Sequence, residues 1–556
     1  MSHITFALAV IGIAVLAAGC GQRPAGGLLG VTRNTTQGDD EVARALVEFE
    51  KGATSGSVGE RVNTVYALDK YVRKHAVVVE RLIEMLRSDK DPALRGAAAR
   101  VLALTADGGD KELQEKAGAA LITALDDQEQ FADNLPSSSY PASVRYEAAL
   151  GLQAFGELAR PAVGKLGDLA AEANATDLEA RIAAVEALGK LGPDAAEAVP
   201  KLVRVFAEPA IRHTPADRHL QLRLAVIATL GAMGEAAGEA VPELVKLLAP
   251  DRYERIYAAY ALGKMGAAAK PAIPELLAQT DNENKDFSHF TSAMAELGDV
   301  MRPSIVADLE SGEERRQVRA LHTLMCMKEK GAFALPQVRK SMKSPVALVR
   351  ENSIDAIMRT GPAGDAAIPE LELALTDPLA RVRYVAAQAI VERKPEHVTA
   401  RESLIEMLDD EEMCPHAMTG LWSVGKHGTK AIPKLEELIK KDNPYLRVRA
   451  AVTLWMVHPE SKIAPAVVRE MLKHKDPEVR GSAAALVGRV GASAEPILDL
   501  LRAMLHDEDG SVQTWAKGSV EQIEAALKQS RAGESTKQGG TKGSGFILPF
   551  GNIVRA

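Results

Sequence analysis

Residues 177–206 read DLEARIAAVEALGKLGPDAAEAVPKLVRVF. An aspartate opens the stretch, an alanine- and leucine-rich run follows, Gly189 and Gly192 close that run, and Pro200 begins a second apolar run. With Arg181 taken as zero on a helix of about 100° per residue, Ala184, Val185, Leu188 and Gly192 all return to within about 60° of it. That face is buried. Asp177 suits the helix N-cap, Gly192 the turn that ends it, and Pro200 the first turn of a further helix, where its missing N–H would be unpaired anyway. The stretch predicts two helices joined by a glycine turn.

The same pattern recurs along most of the chain. It stands as DPALRGAAARVLAL at Asp91, ASVRYEAALGLQAFG at Ala142, LQLRLAVIATLGAMG at Leu220 and DRYERIYAAYALGKMG at Asp251. It continues as ALVRENSIDAIMRTG at Ala347, ARVRYVAAQAI at Ala380, NPYLRVRAAVTLWMV at Asn443 and DPEVRGSAAALVGRVG at Asp476. Gln317, Arg350 and Arg383 are spaced by 33 residues, as are Cys414, Arg447, Arg480 and Gln513, so the register holds even where the arginine slot carries another residue. Between the copies lies a proline-led element, as in AAGEAVPELVKLL and GTKAIPKLEELI, preceded by Gly192, Gly234, Gly266, Gly361 or Gly425. A period near 33 is that of stacked helix pairs, and it replaces the three or four domains that 556 residues would otherwise suggest with one array.

Composition agrees. The chain is 46% hydrophobic but 4% aromatic, and about one residue in six is alanine, which favours closely packed helices over sheets. The apolar content excludes a disordered chain, and three cysteines exclude a disulfide scaffold. Cys326 and Cys414 fall several units apart and are expected as free thiols. With 75 acidic against 67 basic residues, whole-chain charge argues against nucleic acid as a partner.

These repeats resemble the HEAT family, and within it the short bacterial units of phycobilin-lyase-like proteins. The resemblance covers residues 57–528 and implies an all-α α-solenoid superhelix of about 13 helix pairs, with the second helix of each pair lining a concave surface. Two inserts, DDQEQFADNLPSSSYP before Ala142 and AEPAIRHTPADRH before Leu220, are expected as surface loops. The repeated arginines lie beside the buried face and need partners; Asp91, Asp177, Asp251 and Asp476, each four residues earlier, are the expected ones for Arg95, Arg181, Arg255 and Arg480. Recurrence in unit after unit makes these pairs structural rather than catalytic.

The opposite face falls at offsets +2, +5 and +9 from the arginine slot, and its chemistry varies from unit to unit. Tyr257, Tyr260, Lys264, Arg319, His322, Asn352, Asp355, Arg359 and Trp515 are the candidate partner-binding residues there, alongside positions such as Glu392, His416, Thr419, Arg449 and Arg489. Mixed charge and exposed aromatics suit an extended protein segment.

Ile4–Ala18 is a run without charge or proline, followed by Gly19-Cys20 and the polar GQRPAGG. The run is too short to span a membrane comfortably and has the anatomy of a signal peptide. Ala17, Ala18 and Gly19 before Cys20 resemble the lipobox of bacterial lipoproteins, although no Lys or Arg precedes Ile4 and leucine stands at position 16 rather than 17. The implied organisation is a signal peptide over 1–19, a lipidated N-terminus and linker over 20–56, the solenoid over 57–528 and a flexible tail over 529–556 that carries FILPF. The protein is then an exported, membrane-anchored lipoprotein, facing the periplasm or the exterior.

Catalytic constellations are missing. No histidine is followed by glutamate, which removes the His-Glu pairs of iron-dependent HEAT-repeat hydroxylases, and there is no GxSxG, GxGxxG or HExxH. Gly420–Lys426 begins like a P-loop but continues with His427 in place of Ser or Thr. His213 and His219 share a loop with Asp217 without evident further metal ligands. The expected function is a non-catalytic, membrane-tethered scaffold that binds a protein or peptide partner on the concave face, with no cofactor. The alternative is a phycobilin-lyase-like or other HEAT-repeat enzyme.

Overall fold

The computed structural model describes residues 35–108, 110–131, 142–173, 177–208, 217–280 and 286–537. Residues 1–19, Cys20, most of both inserts, His213 and FILPF lie outside them. The described residues are helical, with short 3-10 segments between helices and one small exception. Gln130–Phe131 pairs antiparallel with Ala142–Ser143, closing the base of the first insert, and the Phe131 ring fills the space that a Cβ on Gly96 would need.

The chain divides into two compact units, one up to Leu158 and one from Ala159. The first holds three helix pairs: Thr35–Ala53 with Val58–Tyr66, Ala76–Ser88 with Pro92–Ala103, and Lys111–Ala124 with Val144–Leu152. Thr35–Ala53 corrects the expected linker over 20–56. Val42, Ala45, Leu46 and Phe49 fall on one stripe, and Val42 and Phe49 are buried, so this segment is an amphipathic helix of the array.

The second unit holds eleven pairs, from Val163–Ala170 with Leu178–Leu191 to Leu498–Ala503 with Gly510–Lys537. Its last helix runs to Lys537, past the expected boundary at 528. The second helices form a continuous row. Leu178–Leu191 packs on Arg218–Met233, which packs on Arg255–Lys264, and so on through Phe287–Glu296, Glu314–Met327, Ala347–Arg359, Ala380–Val391, Cys414–Val424, Pro444–Val457 and Pro477–Val487 to Gly510–Lys537. Each inner helix of the row is flanked on two sides by its neighbours and on a third by first helices, which leaves one side open. Alanine is what such a helix needs on its flanks: Ala180, Ala183, Ala184 and Ala187 are all buried in Leu178–Leu191, while Val185 and Leu188 carry the larger share of apolar burial, about 1.5–3 kcal/mol each.

Where a repeat carries two glycines, they do different work. Gly189, Gly231 and Gly263 let neighbouring second helices approach; a Cβ on Gly263 would meet the Ala293 carbonyl oxygen at 2.7 Å. The glycine three residues later turns the chain with positive φ and opens a seven-residue 3-10 segment, as in Gly192–Ala198 and Gly234–Ala240. A short helix with proline in its first turn follows, as in Val199–Arg204 and Ile432–Ile439.

Most of the repeated arginines, Arg95, Arg181, Arg223, Arg255 and Arg480 among them, are buried and Arg350 is partly so, but their carboxylate partners are not the expected ones. Asp91, Asp177 and Asp476 do cap their own helices, accepting from Ala93, Ala180 and Glu478 N–H groups. The arginines pair one unit further on: Arg95 with Asp127, Arg181 with Glu208, Arg223 with Glu254, Arg255 with Asp286, Arg350 with Asp377 and Arg480 with Asp507. Asp251 is an exposed turn residue rather than a cap. The reason is geometric. A carboxylate bound to N-cap amides is already aimed at its own helix end. The guanidinium extends across the pair instead, where it also donates to carbonyls at the end of the preceding first helix: Arg350 Nη1 to Ser344 O at 2.9 Å, Arg480 Nη1 to His474 O at 3.0 Å. One arginine thus ties together three chain segments and satisfies helix C-terminal carbonyls that would otherwise lack donors.

Candidate functional site

The open side of the second-helix row carries most of the expected surface. Tyr257 and Tyr260, both half-buried, lie on Arg255–Lys264, with exposed Lys264 at its end. The Tyr257 ring stacks on Tyr253 at 6.3 Å between centroids, and Tyr253 is 40% exposed. The Tyr260 hydroxyl shares a hydrogen bond with His289 Nδ1 at 3.2 Å, and the two rings meet edge to face. Ser292 Oγ, one turn on, lies 3.5 Å from Cys326 Sγ on the next second helix. Burial pushes the Tyr260 hydroxyl up and pulls the His322 imidazole down, in each case favouring the neutral form. His322 packs edge-on against Phe287 at 5.1 Å.

Arg319 and Asn352 are corrections, because neither is on the surface. Arg319 is buried and donates to Asp308 Oδ2 at 2.9 Å, Leu277 O at 3.0 Å and Thr280 Oγ1 at 3.2 Å. Gln317 occupies the arginine slot of that unit and reaches only the Leu309 carbonyl, so the guanidinium two residues later turns inward to supply the missing charge. Asn352 is short enough to fold back on its own helix, donating to Leu348 O at 2.9 Å. Trp515, 41% exposed, lies on the last second helix against Gly481, several pairs from Tyr257, so the two belong to different stretches of the row.

Asp355 and Arg359 stand on Ala347–Arg359 beside charged neighbours. Burial, and then the adjacent Glu351, push the Asp355 carboxyl up to about 6. Glu351 accepts from Arg381 at 2.9 Å, and the Arg381 guanidinium sits over the Tyr384 ring. Burial raises Glu392 as well and lifts the Tyr384 hydroxyl to about 12. His416 lies 5.3 Å from the Tyr384 ring and is lowered by burial and by the cations Arg381 and Arg449.

Three members of this row, Arg381, His289 and Trp422, and the buried Tyr384 that packs under Arg381, were outside the sequence template. Relative to the arginine slots, held here by Arg383 and Cys414, Tyr384 and Trp422 fall at +1 and +8, on the flank of the helix at about 80–100°, where three fixed offsets do not reach. Phase measured over the whole helix, rather than at +2, +5 and +9, would have included them. Gly420 of the P-loop-like stretch lies mid-helix, within Cys414–Val424, and cannot cradle a phosphate. Among the described residues no three His, Cys, Asp or Glu side chains are placed to hold a metal.

Fold and face together define an all-α array of HEAT-like helix pairs with one chemically varied side. In sequence, residues 432–521 match the family of HEAT repeats, and residues 180–208 and 254–281 match the PBS lyase HEAT-like repeat. No curated protein matches the chain. Among solved structures it is similar to Kap121p (15% identity, TM-score 0.45, 89% of this chain and 64% of that one) and to importin beta (13%, TM-score 0.37, 89% and 75%). It is also similar to Kap121p bound to Nup53p (14%, TM-score 0.46, 89% and 64%). The chain thus spans less than two thirds of the length of Kap121p.

Proposed function

We propose that the protein is a non-catalytic scaffold that holds an extended polypeptide segment along the open side of its second helices, tethered outside the cytoplasm by a lipid on Cys20. One observation carries the binding reading. The buried slots repeat the same alanines, leucines and arginines, whereas the side from Tyr253 to Arg489 presents a different set of rings, amides and charges at each unit. Packing alone asks for no such variety, and a linear ligand read unit by unit does. The tether rests on the apolar run Ile4–Ala18 and the small residues before Cys20.

A photo-reactive amino acid placed at Tyr257, Lys264 or Arg359 is expected to form adducts with a discrete polypeptide, and one placed at exposed Leu373, on a first helix, is not. Equal labelling at Leu373, or release of nothing by Tyr257→Ala with Tyr260→Ala, would dismiss this face. Intact mass of membrane-extracted protein tests the tether: the expected N-terminus is an acylated Cys20, and a chain that still starts at Met1 overturns it.

A further inference from the structure

Trp422, on Cys414–Val424, is fixed from behind. Its indole Nε1 donates to Thr453 Oγ1 at 2.8 Å, and that hydroxyl donates to the Arg449 carbonyl oxygen at 2.8 Å. Two guanidinium groups share its ring: Arg449 at 5.9 Å and Arg489 at 5.4 Å from the centroid. Arg449 Nη1 donates to Thr419 Oγ1 at 3.1 Å and reaches Pro415 O at 3.4 Å. Among the described residues neither arginine has a carboxylate within 4 Å, although the repeat arginines Arg95, Arg181, Arg223, Arg350 and Arg480 all do.

That is an unbalanced arrangement. Burial above all, and to a smaller degree the neighbouring Arg489 charge, pull Arg449 below its ordinary range, partly offset by Tyr384. Ring faces attract each guanidinium, yet they leave most of its N–H donors unused. A carboxylate meeting both groups would supply charge-assisted hydrogen bonds and relieve the repulsion.

We propose that Arg449 and Arg489, framing Trp422, receive the carboxylate of an Asp or Glu side chain in the polypeptide that lies along the row. This rests on the reading of that side as a peptide surface. A nucleic acid or polyphosphate fits worse, because Glu351, Asp355 and Glu392 stand one and two pairs earlier on the same side and would face the rest of a polyanion. A peptide can place one acidic residue at the arginines and neutral or basic residues beyond.

A display library of random dodecapeptides, panned on the full chain, is the test. Wild-type binders should be enriched in Asp or Glu at one position, and that enrichment should vanish on Arg489→Gln and on Arg449→Gln. A selected acidic peptide should lose at least about tenfold in affinity when its acid is changed to the amide or when Arg489→Gln is made, and it should be unaffected by Arg502→Gln, an exposed arginine paired with Glu524. Arg489 is exposed, so its variant carries the test even if Arg449→Gln unfolds, which circular dichroism would reveal. Binders without acidic enrichment, or enrichment that survives Arg489→Gln, overturn the carboxylate receptor and leave the peptide surface standing. No binders at all removes both. Arginine-dependent binding of an oligothymidylate in the absence of acidic peptide binders overturns the proposal in favour of nucleic acid.

Discussion

The guanidinium of Arg223 and the carboxylate of Glu254 meet at 2.7 Å with 3% and 0% of their side chains exposed, each belonging to a different helix pair. Arg223 is also held by the carbonyls of Phe206 and Glu208 and by the Phe206 ring. Removing one partner therefore leaves a buried charge without its counterion. Glu254→Ala is expected to cost about 3–5 kcal/mol, whereas Arg223→Met combined with Glu254→Leu should recover most of that loss. Chemical denaturation of the three proteins checks it; a single variant as stable as the parent would contradict the burial argument.

Lys328 stands where Gly361 stands in the following unit. Both turn with positive φ, 54° and 61°, but only glycine does so without strain from a Cβ. Lys328→Gly is expected to stabilise the protein by about 1 kcal/mol and Gly361→Ala to destabilise it by a similar or larger amount. A Cβ on Gly361 would in addition crowd Glu329 at 3.2 Å. Paired thermal melts would show opposite shifts.

Asp355 makes stability depend on pH. Its carboxyl rises from an ordinary 3.8 to about 6 in the folded chain, through burial and then Glu351, so the folded state holds its proton more tightly than the unfolded state does. This contribution is complete below pH 3.8 and is lost as pH rises through about 6. Its full size is at most about 3 kcal/mol. Asp355→Asn should remove that slope, leaving the variant more stable than the parent at pH 7.5 and close to it at pH 4; parallel stability curves across this range would refute the assignment.

The two thiols of the array should react at different rates. Cys326 is exposed, while Cys414 is buried and its thiol is pushed up by burial and by Asp409. Iodoacetamide on the native protein, followed by peptide mass mapping, should modify Cys326 and spare Cys414 until denaturant is added.

The helix pairs were legible because the period near 33 repeats many times and each helix carries its own punctuation of aspartate, glycine and proline. What stayed hidden were relations between units. Arg95 and Asp127 are 32 residues apart, and nothing local distinguishes that partner from Asp91, four residues away. Arg319 shows the same limit on the site. Its position marked it for the surface, but Gln317 had vacated the charged slot, and an inward guanidinium offset the loss. Tyr384 and Trp422 escaped because fixed offsets sample a helix coarsely. Thr35–Ala53 escaped because its stripe of Val42, Ala45, Leu46 and Phe49 lacks the repeat's arginine and glycines.

Because Arg350 grips Asp377 and Arg480 grips Asp507, and neither clasp faces the other way, the array has a polarity that its near-identical units conceal. Truncation from the two ends should not be equivalent. Deleting the last pair strands a guanidinium that was shielded by the deleted segment, while deleting a leading pair strands a carboxylate that keeps a local backbone donor, as Asp507 does in the amide of Asp509. Shortened chains should thus tolerate loss from the N-terminal side better than loss from the C-terminal side.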